Sequence, residues 1–324
     1  MESDLKSSDP YKRAKAVQEL ADAMSLETSQ KAQSYLDFFL GKLSDQLSVS
    51  AALEGILKIL KSQELNLSRV PAVIIEELNF SSFPQSDRLN ILKIYAITTC
   101  AAPLSKDYVH GYLHLVQGEK DPRCLLLALR IMQDIMARFD CKGLEQDIFD
   151  WTFAYFPITF KEKENGPFDV TQKDLTNALM DCISADLIGL GEFVIPFLME
   201  KMESSLGLTK RDTMVFLGHA SKVYQHDLLN KNLTKLWIWA KEEIYRVDNQ
   251  ENSTAALTMM ADVINTLSLV QVYSNDQTVN NWGKIVELIM VDVLDSLESA
   301  DHNLVVFTEK IFEILATSSS NLMI

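Results

Sequence analysis

Residues 121–138 read DPRCLLLALRIMQDIMAR. Apolar side chains fall at Leu125, Ala128, Leu129, Met132, Ile135 and Met136. That three-and-four spacing lines one face of a helix and leaves the other polar. Asp121 places a carboxylate acceptor at the cap, and Pro122 follows at the first helical position, where its missing N–H costs nothing. The pattern recurs along the chain. Stripes appear at Leu53, Ile56, Leu57 and Leu60, and at Leu175, Ala178, Leu179, Cys182 and Ile183. Others run through Leu233, Leu236, Trp237, Ala240 and Ile244, and through Leu257, Met260, Ala261, Ile264 and Leu267. Asp9–Pro10 marks another start, and Thr171 with Asp174 and Thr209 with Asp212 have the spacing of a capping box. No run of strict alternation competes.

Grouped in pairs, the stripes form helical hairpins that begin near residues 10, 48, 85, 121, 171, 209, 252 and 301. Intervals of about 40 residues point to HEAT or armadillo repeats rather than the tighter tetratricopeptide period. A lone hairpin cannot bury its stripe, so neighbours must stack. The expected fold is all-α: a HEAT-type α-solenoid of antiparallel helix pairs stacked into a superhelix. Residues 1–324 are expected to form one array of about eight pairs, the last incomplete. PITFKEKENGPFDV, 157–170, breaks the rhythm and reads as a polar loop inserted between repeats. The last stripe, Leu304, Phe307, Ile311, Phe312 and Leu315, leads into SSSNLMI with no polar repeat to cap it. The sequence is therefore expected to be a fragment or a truncated isoform.

Composition agrees. Among 324 residues there are only 11 glycines and 8 prolines, too few for the turns of a sandwich, barrel or Rossmann-type fold. Forty-five acidic against 30 basic side chains give a net charge of −15, so direct binding to nucleic-acid phosphates is not expected. Cys100, Cys124, Cys141 and Cys182 contain no CxxC pair, and each lies in an apolar helical context where a buried thiol is the ordinary state. No apolar run is long enough for a membrane span, and Met1–Arg13 contains no signal-peptide core. The expected location is cytoplasm and nucleus.

Chemistry is sparse. His110 and His114 share a helix face in HGYLH, but the glutamate of HExxH is missing, so a metal-dependent enzyme is the weakest reading. There is no phosphate-binding glycine loop and no GxSxG elbow. No catalytic, metal or cofactor-binding residue is expected, and the chain is read as a non-enzyme. A solenoid acts through its surface. Arg88, Lys120 and Arg123 sit at or just after proline-marked helix starts, outside the stripes, and are the candidate protein-binding residues. Cations there can meet an acidic partner surface, or tie neighbouring repeats together through carboxylates.

Three blocks carry a resemblance. SFPQSDRLNILKIY at 82–95 is followed by GEKDPRCLLLALRIMQDI at 118–135. YFPITF at 155–160 then leads into TQKDLTNALMDCIS and FVIPFLMEKMES. In this order they resemble the N-terminal HEAT-repeat region of the cytosolic iron–sulfur protein assembly targeting scaffold, a family first described as nucleotide-excision-repair and transcription proteins. The match is densest from about Phe80 to Tyr224. Where that family usually carries a Pro-rich loop with an Asn/Asp-Asp-Pro-Tyr-Gly element, this chain has Asn165-Gly166-Pro167-Phe168-Asp169. The resemblance implies a scaffold that recruits apo iron–sulfur clients, such as DNA helicases and polymerases, without holding a cluster. It places the propeller and small subunits of the targeting complex on C-terminal repeats mostly absent here. An alternative reading is a HEAT-type nuclear-transport receptor or another cargo-binding solenoid.

Overall fold

A computed structural model describes residues 2–24, 31–61, 65–101, 105–160, 170–184, 189–203, 207–224, 226–246, 248–273, 281–297 and 302–320. Most of the inserted loop, residues 161–169, lies outside them. The helices are α1 (Glu2–Leu5), α2 (Pro10–Ala23), α3 (Ala32–Leu40), α4 (Val49–Ile59), α5 (Val70–Glu77) and α6 (Gln85–Thr98). There follow α7 (Lys106–Leu115), α8 (Pro122–Arg138), α9 (Glu145–Phe153), α10 (Gln172–Ser184) and α11 (Gly191–Lys201). The last five are α12 (Gly207–Ser221), α13 (His226–Ile244), α14 (Gln250–Tyr273), α15 (Asn281–Leu297) and α16 (His302–Ser320). No strand occurs among the described residues. The fold class is all-α, built of HEAT-type helix pairs.

Each expected hairpin start falls within two residues of an even-numbered helix from α2 to α16. The caps explain the agreement. Asp9 Oδ1 accepts from the Tyr11 backbone N–H at 3.0 Å, and Asp121 Oδ1 accepts from Arg123 and Cys124 N–H at 3.0 and 3.3 Å. Thr171 and Asp174 form the reciprocal box, with side-chain-to-backbone bonds of 2.9 and 3.1 Å. Thr209 and Asp212 do not. Helix α12 already begins at Gly207, so Thr209 is interior and its carbonyl accepts the Thr213 hydroxyl at 2.7 Å.

The chain divides into two compact units: residues 1–152 with 158–182, and residues 153–157 with 183–324. In unit 1, α2, α4, α6 and α8 stand side by side in one parallel row. Bridging bonds fix their register. Lys58 Nζ donates to the Ala21 carbonyl at 2.8 Å and the Ser50 hydroxyl to Asp87 at 2.5 Å. Cys124 Sγ reaches the Gln85 carbonyl at 3.9 Å, and Arg138 Nη1 donates to the Thr99 carbonyl at 2.9 Å. These partners are 37 to 39 residues apart at both ends of the helices, as parallel neighbours require. The stripe of α8 is wholly buried, as are Leu53 and Ile56; Leu57 and Leu60 are half-buried. Each fully buried Leu or Ile contributes about 1.5–3 kcal/mol. Gly55 lets α3 press against α4: a β-carbon there would lie 2.5 Å from the Phe39 ring.

In unit 2, α12 crosses α14 at Gly218, where an added β-carbon would stand 3.2 Å from the Met259 Cα. Phe153, Phe156, Phe197 and Phe216 form a cluster with ring centroids 5.0–6.2 Å apart, edge-to-face except for the tilted Phe153–Phe156 contact. Trp237 is buried, and its indole N–H donates to Asp292 at 2.7 Å, which ties α13 to α15. No helix among the described residues is long and apolar enough to cross a membrane.

Candidate protein-binding edge

The fourth residue of α2 is Arg13, of α6 Arg88, and of α12 Lys210. Side chains in the first turn of a helix lean back toward its N-terminus. A long cation at that place therefore overhangs the turn before its own helix and can reach a neighbouring one. All three do so. Arg13 Nε donates to Asp45 at 2.6 Å and its Nη1 to the Ser7 carbonyl at 2.9 Å. Arg88 grips Glu119 with Nε at 2.8 Å and Nη2 at 3.1 Å, while Nη1 holds the Phe83 carbonyl at 2.8 Å. Lys210 Nζ meets Glu243 at 2.8 Å. The separations are 32, 31 and 33 residues, a little less than one helix pair. Each bond is a rung across the open end of one pair, from the start of its first helix to the end of its second helix or the turn after it.

The rungs are partly dry, and two of the groups on the acid side respond. The Arg13 hydrogen bond holds Asp45 below the ordinary aspartate range. Burial pushes Glu243 up, but hydrogen bonds from Lys210 and Asn252 outweigh it and leave the group lowered. Hydrogen bonding to Glu119 raises Arg88 above the usual guanidinium value. The Glu119 side chain is 1 % exposed, and its Oε1 also accepts the Lys120 and Asp121 backbone N–H groups, each at 2.8 Å. It therefore organises the turn that carries the Asp121 cap.

The structure brings the three candidate residues to one turn and gives each a different state. Arg88 is held inside the rung. The Arg123 side chain leans on Asp121 at 3.5 Å. Lys120 is exposed on the rim. Beside them, between the α5–α6 and α7–α8 connections, a groove of about 580 Å³ is lined by Ile75, Glu76, Phe80, His114 and Gln117 among others. A smaller hollow of about 200 Å³, under Arg88, Glu119 and Lys120, shares Phe80 and Gln117 with it. The Arg13–Asp45 rung has its own hollow of about 560 Å³, bordered by the exposed Leu47. The sequence named neither Arg13, Lys210 nor any of the three acids. Their signal was a cation just inside a helix start with a carboxylate 31 to 33 residues later, at the end of the same pair.

Among the described residues, no three His, Cys, Asp or Glu side chains are placed to share an ion. His110 Nδ1 lies 3.6 Å from Asp147 on α9, while His114 faces the groove. Cys124, Cys141 and Cys182 are buried; Cys100 is exposed, against expectation. It sits in the 3-10 turn Thr99–Ala101 that ends α6, where the tighter winding carries it off the buried face.

A family model described as Dos2-interacting transcription regulator of RNA-Pol-II matches residues 1–246. The chain belongs to this family. Relatives include the mouse MMS19 nucleotide excision repair protein homolog, 26 % identical over 98 % of this chain. The zebrafish homolog is 31 % identical over 51 %. The fission-yeast DNA repair/transcription protein mms19 is 25 % identical over 81 %. The chain spans 32 % of the mouse protein's length and 26 % of the fission-yeast protein's. Among solved structures, Kap121p superposes with a TM-score of 0.58 over 99 % of this chain and 37 % of its own, at 13 % identity. That likeness is one of fold. The family match agrees with the resemblance carried by the three sequence blocks, and the solenoid fold with the helix periodicity.

Proposed function

We propose that this chain is a non-enzymatic scaffold arm with a part in DNA repair, one that recruits apo iron–sulfur proteins to a cluster-delivery complex. Membership of a family whose relatives are named repair and transcription proteins supports the repair setting. The observation that carries the reading is the rung-and-groove edge. Arg13 and Arg88 are spent on closing their own helix pairs, whereas Lys120 and the rim of the 580 Å³ groove stay open to a partner. The clients would be iron–sulfur helicases and polymerases, and the repair role would be indirect, through enzymes that lack their clusters. Cytoplasm and nucleus are the compartments this work requires.

Affinity capture of the tagged chain from cell extract tests the reading. Enrichment of iron–sulfur helicases and polymerases, reduced by Lys120→Glu, is the expected result. Capture that responds instead to a GTP-loaded Ran-type switch protein, or no iron–sulfur protein above background, overturns it.

A further inference from the structure

Helices α5 and α7 both end on the groove between the α5–α6 and α7–α8 connections. Glu76 and Glu77 close α5, His114 and Leu115 close α7, and all four line it. Gly111 lets the two helices approach, since a β-carbon there would stand 2.9 Å from Ile75 Cγ2. Ile75, Leu78, Phe80 and Leu115 supply the apolar wall.

The α5 end is short of donors. The Leu78 N–H closes on the Ile74 carbonyl, and the chain then leaves the helix in extended geometry. Among the described residues, no backbone N–H reaches the carbonyls of Ile75, Glu76 or Glu77. A helix C-terminus carries about half a negative charge, which a cation in the last turn ordinarily answers. The last turn of α5 holds no basic side chain, and that of α7 only His114. Two carboxylates add to the charge instead. Glu76 and Glu77 are exposed, and neither has an ion pair or hydrogen bond among the described residues.

The nearby cations leave this end uncompensated. Arg88 has its Nε, Nη1 and Nη2 donors bound to Glu119 and the Phe83 carbonyl. Lys61 and Arg69 belong to the connection leading into α5, and Lys106 opens α7. Helices of eight and ten residues put about 12 and 15 Å between those starts and the groove. Lys120 borders the adjoining 200 Å³ hollow, which shares Phe80, Ser81 and Gln117 with the groove. The two hollows form one trough, acidic at the α5 end and basic at the Lys120 end.

That polarity selects the occupant. A lone metal ion fits poorly, because no three His, Cys, Asp or Glu side chains among the described residues are placed to share one. A volume of about 580 Å³ lies within the range of about 300–1,000 Å³ typical of ligand sites and holds more than one side chain. The two glutamates repel a nucleic acid. We propose that the trough is a docking site for a protein segment carrying one Arg or Lys, a large apolar side chain beside it and an Asp or Glu beyond. The cation meets Glu76, Glu77 and the α5 carbonyls, the apolar side chain lies along Ile75 and Gly111, and the acid meets Lys120. The proposal rests on reading the chain as a partner-binding array and names the segment it takes.

The test pans a random library of 12-residue peptides on the full chain and measures the recovered peptides by fluorescence anisotropy. At 150 mM salt the screening length is about 8 Å, so the net charge of the chain acts little at a distance. The recovered peptides should carry an Arg or Lys next to Leu, Ile or Phe. Their affinity should fall about tenfold in E76Q/E77Q, through loss of charge-assisted bonds. Ser81→Trp, which narrows the trough without changing its charge, should weaken binding severalfold, as should Lys120→Glu. All four positions are exposed, so thermal midpoints should hold. E200Q/E203Q, the same charge change at exposed sites in unit 2, should alter affinity less than twofold. Peptides without a cation, equal loss in the two double variants, or no recovered peptide would overturn the site. Iron–sulfur protein capture by the wild-type chain is scored in parallel. Peptide binding without capture removes the scaffold function and leaves the trough; capture without peptide binding removes the trough alone.

Discussion

Replacing Arg88 by Met is the most exacting perturbation of the rung. Methionine keeps much of the stem that packs near Phe80, whose ring centroid lies 6.0 Å from the guanidinium carbon. It removes the bonds of 2.8 and 3.1 Å to Glu119 and the 2.8 Å bond to the Phe83 carbonyl. What remains is a carboxylate in a side chain 1 % exposed, held only by the Lys120 and Asp121 N–H groups. Breaking a buried pair from one side costs about 3–5 kcal/mol. Arg88 keeps 19 % of its side chain exposed and the two N–H groups still solvate the anion, so the lower end, about 3 kcal/mol, is expected. Hydrogen exchange followed peptide by peptide reads this locally. Amides of α6 and α8 should exchange roughly a hundredfold faster, while those of α12 and α14 are unchanged. R88M/E119Q keeps an oxygen for the turn N–H groups but no charge, and should recover about half the loss. If the double variant exchanges as fast as R88M, or R88M costs under about 1 kcal/mol, the orphaned carboxylate is not what the rung guards against.

Acid should loosen both units. Asp45, Glu243 and Asp292 are lowered in the folded chain, the last because hydrogen bonds from Lys241 and Trp237 outweigh its burial. Their contribution is present above the unfolded carboxylate range, about pH 4, and is lost as pH falls through their folded values. Thermal midpoints should therefore drop between about pH 5 and 3, and a midpoint that stays flat there contradicts the assignment. Gly55→Ala should destabilise unit 1 by about 1–3 kcal/mol, because the 2.5 Å approach to the Phe39 ring outweighs alanine's helix propensity; a neutral or raised urea midpoint would count against that packing. Titration with a maleimide should modify Cys100 alone in the native chain. Burial pushes Cys124 up to about 12 and raises Cys182 as well, so the buried thiols should react only on unfolding. Rapid loss of two or more thiols would show a looser core.

The helix starts were legible because a cap is a local device: Asp121, Pro122 and the first two N–H groups of α8 settle it within four residues. Thr209 and Asp212 show the limit. Their spacing suits a box, but nothing local shows that the helix already starts at Gly207. The charged edge was legible only in outline. Arg88 was visible as a cation off the stripe, but its partner is 31 residues away, and only folding turns that separation into a 2.8 Å bond.

The rungs also have an order. In Arg13–Asp45, Arg88–Glu119 and Lys210–Glu243 the cation always precedes the acid. Three chemically distinct couples thus share one polarity, as plugs and sockets do. Each couple closes within its own helix pair, so duplication or exchange of a whole pair carries both halves of the connector with it. The array can therefore change in length and drift in residue identity while every pair keeps its own clasp.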